Sequence, residues 1–134
     1  MSKGKVYLVH REFPLPMHQY ARPAACLATA AARMNRYEEV CAVLFRTQES
    51  WSKTGKIDEA LRGALSPSEL RKIVALASDP QVMAQVQKDV DLGVRANVRS
   101  TPTLMVVHKQ RTYPIASAVS YPIFKRFLDD LLSK

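Results

Sequence analysis

The sequence predicts an α/β domain in which a run of helices is inserted between the strands of a sheet. Three observations carry this. Lys5–Phe13 sets Val6, Tyr7, Leu8 and Val9 on both faces of an extended run, the pattern of a strand covered on both sides. From about Met17 to Asn97 the apolar residues instead follow a helical period. At Thr103 the period changes back, and Thr103-Leu104-Met105-Val106-Val107 reads as a strand with Arg111–Ile115 as its hairpin partner.

Pro14 and Pro16 end the first strand. Met17–Met34 is rich in alanine, the strongest helix former, and Pro23 places either the helix start or a bend near itself. Tyr37, Val40, Cys41, Leu44 and Phe45 form an amphipathic stripe at i, i+3, i+4, i+7 and i+8. A polar stretch around Gln48-Glu49-Ser50 carries the only tryptophan, Trp51, and Ile57–Leu65 reads as a short helix closing at Gly63. Ser66-Pro67-Ser68-Glu69 is a capping box with proline at the first helical position. The helix it opens is expected to bury Leu70, Ile73, Val74 and Ala77. Asp79-Pro80 opens the next, lined by Val82, Met83, Val86 and Val90. Ser120 is the expected cap of a last helix with the stripe Ile123, Phe124, Phe127, Leu128 and Leu131. With no internal repeat or low-complexity linker, residues 1–134 are expected to form one domain, its helical insertion spanning approximately 17–78.

Composition narrows the function classes. The 134 residues are 47% hydrophobic and 24% charged, with 4 Gly and 8 Pro, which disfavours disorder, collagen and a disulfide scaffold. No apolar run approaches the ~18 residues of a membrane span, so no membrane partner is expected. Met1-Ser2-Lys3-Gly4-Lys5 passes directly into Val6–Val9 and then His10-Arg11-Glu12, which is not the layout of a signal peptide. The net charge of +8 is spread along the chain rather than clustered. It reads as a solvated face, and with no nucleic-acid motif beside it nucleic acid is not an expected partner.

Cys26 and Cys41 lie fifteen positions apart, forming neither a C-x-x-C pair nor a zinc knuckle. Cys41 sits on the apolar stripe and Cys26 among alanines, positions suited to small buried hydrophobes. A bridge between them needs Cα atoms about 5.5–6 Å apart, which spacing alone leaves open. His10, His18 and His108 are scattered and make no metal site. No metal, cofactor or catalytic residue is expected. Trp51 reads as closing a core edge, with a peptide groove as the alternative.

Val98-Arg99-Ser100-Thr101-Pro102-Thr103, between a helix and an apolar strand, resembles the V-x-[GS]-T-P-T segment of the DsbA-like branch of thioredoxin-fold proteins. The likeness continues through Gly4-Lys5-Val6, Phe13-Pro14-Leu15, His18, Ala21 and Ala24-Ala25, then Tyr37-Glu38-Glu39, Leu44-Phe45, Gln48 and Trp51. It implies a thioredoxin-like fold with a helical insertion. It also implies a cis Thr101–Pro102 bond, and an extended peptide or protein substrate held at Ser100, Thr101 and Pro102 by strand addition. The implied activity is protein thiol–disulfide exchange, as oxidation or isomerisation.

The chain departs from that family in one respect. Members begin with a strand, a C-x-x-C pair and the helix it caps, and the match here starts after them. The expectation is a fold whose first βα unit is absent and whose chain is inactive without the redox pair. The alternative is a redox-inactive peptide- or partner-binding module. The absent strand would lie between Lys5–Phe13 and Thr103–Val107, leaving unpaired apolar edges. The strands then close up, another chain fills the gap, or the chain belongs to a longer protein; a homodimer across the gap is the expected assembly. A complete chain would be cytoplasmic, whereas the resembled family is mostly periplasmic or extracytoplasmic, so the compartment stays open.

Overall fold

Alanine carries the smallest side chain that still favours a helix, and it dominates the first element, α1 (Ala21–Ala32). In the computed structural model, which describes residues 6–134, Ala24, Ala25, Ala28, Ala30 and Ala31 are all buried on this helix. Pro23 sits in its first turn, where a missing N–H breaks no intrahelical bond, so the helix starts ahead of the proline. Asn35 turns left-handed at φ 55° while the Arg36 N–H reaches back to the Ala31 carbonyl at 2.9 Å and the Asn35 N–H to Ala32 at 3.2 Å. This is a Schellman closure, with asparagine in the position glycine usually takes.

The next helices are α2 (Tyr37–Arg46), α3 (Gln48–Thr54), α4 (Ile57–Ala60), α5 (Pro67–Ala77) and α6 (Pro80–Arg95). The polar stretch around Trp51 is itself a helix. One anchor specifies it in place of a stripe: the buried Trp51 indole donates to the Leu44 carbonyl at 2.8 Å. Gly55 closes α3 at φ 73°, facing the Tyr20 ring so closely that an added Cβ would lie 2.7 Å from it. The capping box of α5 is complete, with Glu69 N–H on Ser66 Oγ at 3.2 Å and Ser66 N–H on Glu69 Oε2 at 3.0 Å. At α6 the Gln81 N–H meets Asp79 Oδ1 at 2.7 Å.

α1 packs against α2 and α5, and Val40, Leu61, Ile73, Val82 and Val86 close the same core. The buried stripes are narrower than the sequence predicts. Phe45 is 71% exposed, and Val74 and Met83 also face solvent. One polar residue replaces them: Asp89, 6% exposed, lies on the Val82/Val86 face. It accepts the Glu12 N–H at 3.1 Å and a Gln85 amide hydrogen at 3.2 Å. Phe13 lies against Gly93, where an added Cβ would come within 2.5 Å of its ring.

The chain divides into two compact units: Glu12–Gly93, and the described part of Met1–Arg11 with Val94–Lys134. The helical unit starts ahead of residue 17 and takes in most of α6, which lies beyond residue 78. The second unit holds an antiparallel hairpin of β1 (Leu104–His108) and β2 (Arg111–Ile115), followed by α7 (Tyr121–Leu132). Lys109 and Gln110 take φ 46° and 65°, the two left-handed residues of a tight turn that suits the strand twist. Tyr113 meets Phe127 edge to face, with centroids 5.7 Å apart. Leu128 and Leu131 are buried, Phe124 and Phe127 half-buried, and Ile123 is exposed. Ser120 has the backbone of a cap, yet its hydroxyl makes no cap bond; Pro122 has no N–H at one of the two positions such a hydroxyl serves.

The first predicted strand is not formed. Lys5 and the Met1–Lys5 leader reading lie outside the described residues, and Val6–Phe13 runs without strand structure, Tyr7 91% and Leu8 88% exposed. Among the described residues the sheet is β1 and β2 alone, and this apolar segment pairs with neither strand.

Asp89→Ala leaves the Glu12 N–H without its acceptor and should lower unfolding stability by about 1–3 kcal/mol in a denaturant melt, with Asp89→Asn losing less. A second outcome concerns acid. Glu69 binds the Ser66 N–H and also Arg36, whose Nε and Nη2 approach Oε1 at 3.0 and 2.6 Å. The Ser66 backbone bond, then Arg36, lower its carboxyl to about 2 from 4.5. Its contribution is therefore whole above pH 4.5 and lost as pH falls toward 2. Glu69→Gln should flatten the acid limb of a stability–pH curve in that window, and an unchanged limb would refute the assignment.

Candidate functional site

Asn97, at φ 57°, turns the chain out of α6, with its N–H on the Val94 carbonyl at 3.0 Å. After Val98 and Arg99, Ser100, Thr101 and Pro102 form a contiguous, exposed loop. The Thr101–Pro102 peptide bond is cis. Thr103 Oγ1 donates to the Ser100 carbonyl at 2.6 Å, closing the loop immediately ahead of β1. All three residues singled out in the sequence therefore stand together, at the head of a strand.

The hairpin register decides which backbone groups this strand leaves open. The pairs run His108↔Arg111, Val107↔Thr112, Val106↔Tyr113, Met105↔Pro114 and Leu104↔Ile115. In a two-residue hairpin the closing pair is hydrogen-bonded, and bonded pairs then alternate. His108, Val106 and Leu104 thus bond to β2, while the N–H and C=O groups of Met105 and Val107 point to the outer edge. Pro114 falls on a non-bonded pair, so its missing N–H removes nothing from the ladder. Among the described residues no strand pairs with that outer edge of β1. Leu104 and Val106 are half-buried, Val107 is 69% exposed, and no residue of the strand Leu-Met-Val-Val-His is a lysine, an acid or a proline. The opposite strand and α7 enclose a groove of about 440 Å³ lined by Tyr113, Pro114, Ile115, Val119, Phe124 and Phe127.

The two cysteines are elsewhere, in the helical unit. Both are free thiols, Cys26 buried on α1 and Cys41 half-buried on α2. Burial pushes both thiols up. Arg22 opposes this at Cys26 and the Tyr37 hydroxyl at Cys41, and the Glu12 carboxylate reinforces it at each. Tyr37 donates to Glu12 Oε1 at 2.9 Å, and burial, then that carboxylate, hold its own proton firmly. Glu12, Tyr37, Cys41 and Asp89 form a polar cluster that sequence reasoning missed. The available signal was Asp89 at i+3 from Val86 and i+7 from Val82, a carboxylate on an apolar stripe. His18 is exposed, and among the described residues no group of His, Cys, Asp or Glu is arranged to hold a metal. Trp51 is a buried core residue.

A thiol that is buried and raised in pKa is a poor nucleophile. In the folded chain, Cys26 and Cys41 should react slowly with a thiol reagent at neutral pH and quickly once guanidinium unfolds the protein. The chain alone should give no insulin reduction. Turnover that disappears on Cys41→Ala would overturn both expectations.

No curated protein and no solved structure matches the chain. A family model described as Thioredoxin matches residues 1–130. A Thr-Pro-Thr loop with a cis proline at its centre and a hairpin–helix ending accord with that match, and the chain belongs to the thioredoxin family.

Proposed function

We propose that this thioredoxin-family chain is of the DsbA-like type and serves protein thiol–disulfide exchange by holding the substrate. In this reading Ser100, Thr101 and Pro102 with the outer edge of β1 receive an extended segment of a substrate protein as an added strand. The observation that carries it is the outer edge at Met105 and Val107, unpaired among the described residues, which runs directly out of the exposed loop.

Exchange itself requires a thiolate that attacks one sulfur of a disulfide, forms a mixed disulfide with it and releases the other sulfur as a thiolate. The chain has two cysteines and no C-x-x-C pair, and both thiols are raised by burial. Its own residues therefore supply recognition, and the nucleophile belongs to whatever cysteine pair acts with it. The same observation favours a second reading, a redox-inactive module that holds a peptide or partner without chemistry.

Amide hydrogen exchange with an extended apolar peptide tests the common element. Binding should slow exchange at Met105 and Val107, whose N–H groups face outward, and leave Val106, already paired with Tyr113, unchanged. Protection at the Tyr113–Phe127 groove instead would refute the edge. Slow exchange at Met105 and Val107 without peptide, with a doubled mass by light scattering, would assign the edge to a homodimer.

A further inference from the structure

From Val94 to Leu128 the chain contains no Asp or Glu, while Arg95, Arg99, Lys109, Arg111, Lys125 and Arg126 fall within it. These cations are not distributed evenly about the candidate edge. Arg95 and Arg99 precede the Ser100–Pro102 loop, and Arg111 stands at the far end, paired in register with His108. Between them lies Leu104-Met105-Val106-Val107, which carries no charge. Lys125 is committed to Asp129, and the Lys109 ammonium donates to the Lys134 carbonyl oxygen at 2.8 Å. Arg95, Arg99 and Arg111 are exposed and make no ion pair among the described residues.

We infer that the edge selects extended peptides with an apolar centre and acidic residues on both flanks. The inference rests on the strand-addition reading and adds its charge preference. An added strand pairing along β1 covers about five residues, roughly 17 Å, so its ends emerge beside the loop-side arginines and beside the hairpin tip. Carboxylates at those ends meet guanidinium groups that can accept them in two-pronged fashion. The centre meets apolar side chains and outward backbone groups only. A second copy of the chain fits this edge less well, since it would bring the acid-free basic stretch Val94–Leu128 against its like. Nucleic acid would satisfy the cations and leave the N–H and C=O groups of Met105 and Val107 unpaired.

The test uses the whole chain and three labelled peptides with one apolar centre, flanked by Glu, by Gln or by Lys. The Glu-flanked peptide should bind roughly tenfold tighter than the Gln-flanked one at low salt, the Lys-flanked one more weakly still. The preference should fade at about 0.5 M salt, where screening is nearly complete over the distances involved. Arg99→Glu and, separately, Arg111→Glu should each reduce the Glu/Gln ratio and leave Gln-peptide affinity in place, which also shows that each variant is folded. Equal affinity for Glu and Gln peptides would overturn the charge preference and leave strand addition standing. No binding of any peptide would overturn both. Displacement of the Glu peptide by a single-stranded oligonucleotide, without protection of the Met105 and Val107 amides, would reassign the surface to nucleic acid.

Discussion

The helical unit depends on one constraint, the alanine face of α1. A helix can be approached closely on two sides only if its side chains are short, and α1 buries five alanines with Cys26 and Leu27 while α2 and α5 pack on it. Close approach then constrains the turn out of α1. The Asn35 closure has to bring the chain back within a few residues for α2 to reach the same face, and it does so with a left-handed residue and two backbone bonds. Arg36, next in the chain, ties the start of α2 to the capping box of α5 through Glu69. A larger side chain at Ala30 or Ala31, both fully buried, would separate all three helices at once.

Polar groups inside this unit are matched rather than avoided. The Glu12 N–H, Asp89 and Gln85 form one chain of hydrogen bonds and the Tyr37 hydroxyl and Glu12 carboxylate another, joined through Glu12. Together with Phe13 against Gly93, they fasten the segment ahead of α1 to α6. Such a cluster gives specificity of position more than net stability, because each carboxylate is kept from water only by bonds that must all be made. It also keeps the thiols quiet. Cys26 and Cys41 both feel the Glu12 carboxylate, and burial already disfavours their thiolates.

The recognition proposed for the second unit rests on the hairpin's own asymmetry. β2 carries Pro114 and the charged Arg111 and is matched on its inner face by α7 through Tyr113 and Phe127. β1 carries neither a proline nor a lysine, the devices that usually discourage edge pairing. A protected strand and an unprotected one in the same hairpin leave one direction in which a further strand can add. The loop that precedes it is short, exposed and closed by the Thr103–Ser100 bond, so it continues the same edge.

Local chemistry was legible in the residues. The Ser66–Glu69 capping box, the Asp79-Pro80 start, the hairpin partners and the Ser100–Pro102 loop depend on neighbours within a few positions, and a sequence carries such neighbours explicitly. The candidate site residues were legible as a motif, though the outward direction of Met105 and Val107 needed the register. Three features were decided only by tertiary structure. Val6–Phe13 has the composition of a buried strand and no strand, because a strand exists only with a partner for its backbone. Gln48–Thr54 is a helix because one tryptophan finds the Leu44 carbonyl and a buried place, a tertiary fact that no period announces. Asp89 is buried because the Glu12 N–H, 77 positions away, comes to it, and a carboxylate leaves water only where such a donor is already waiting.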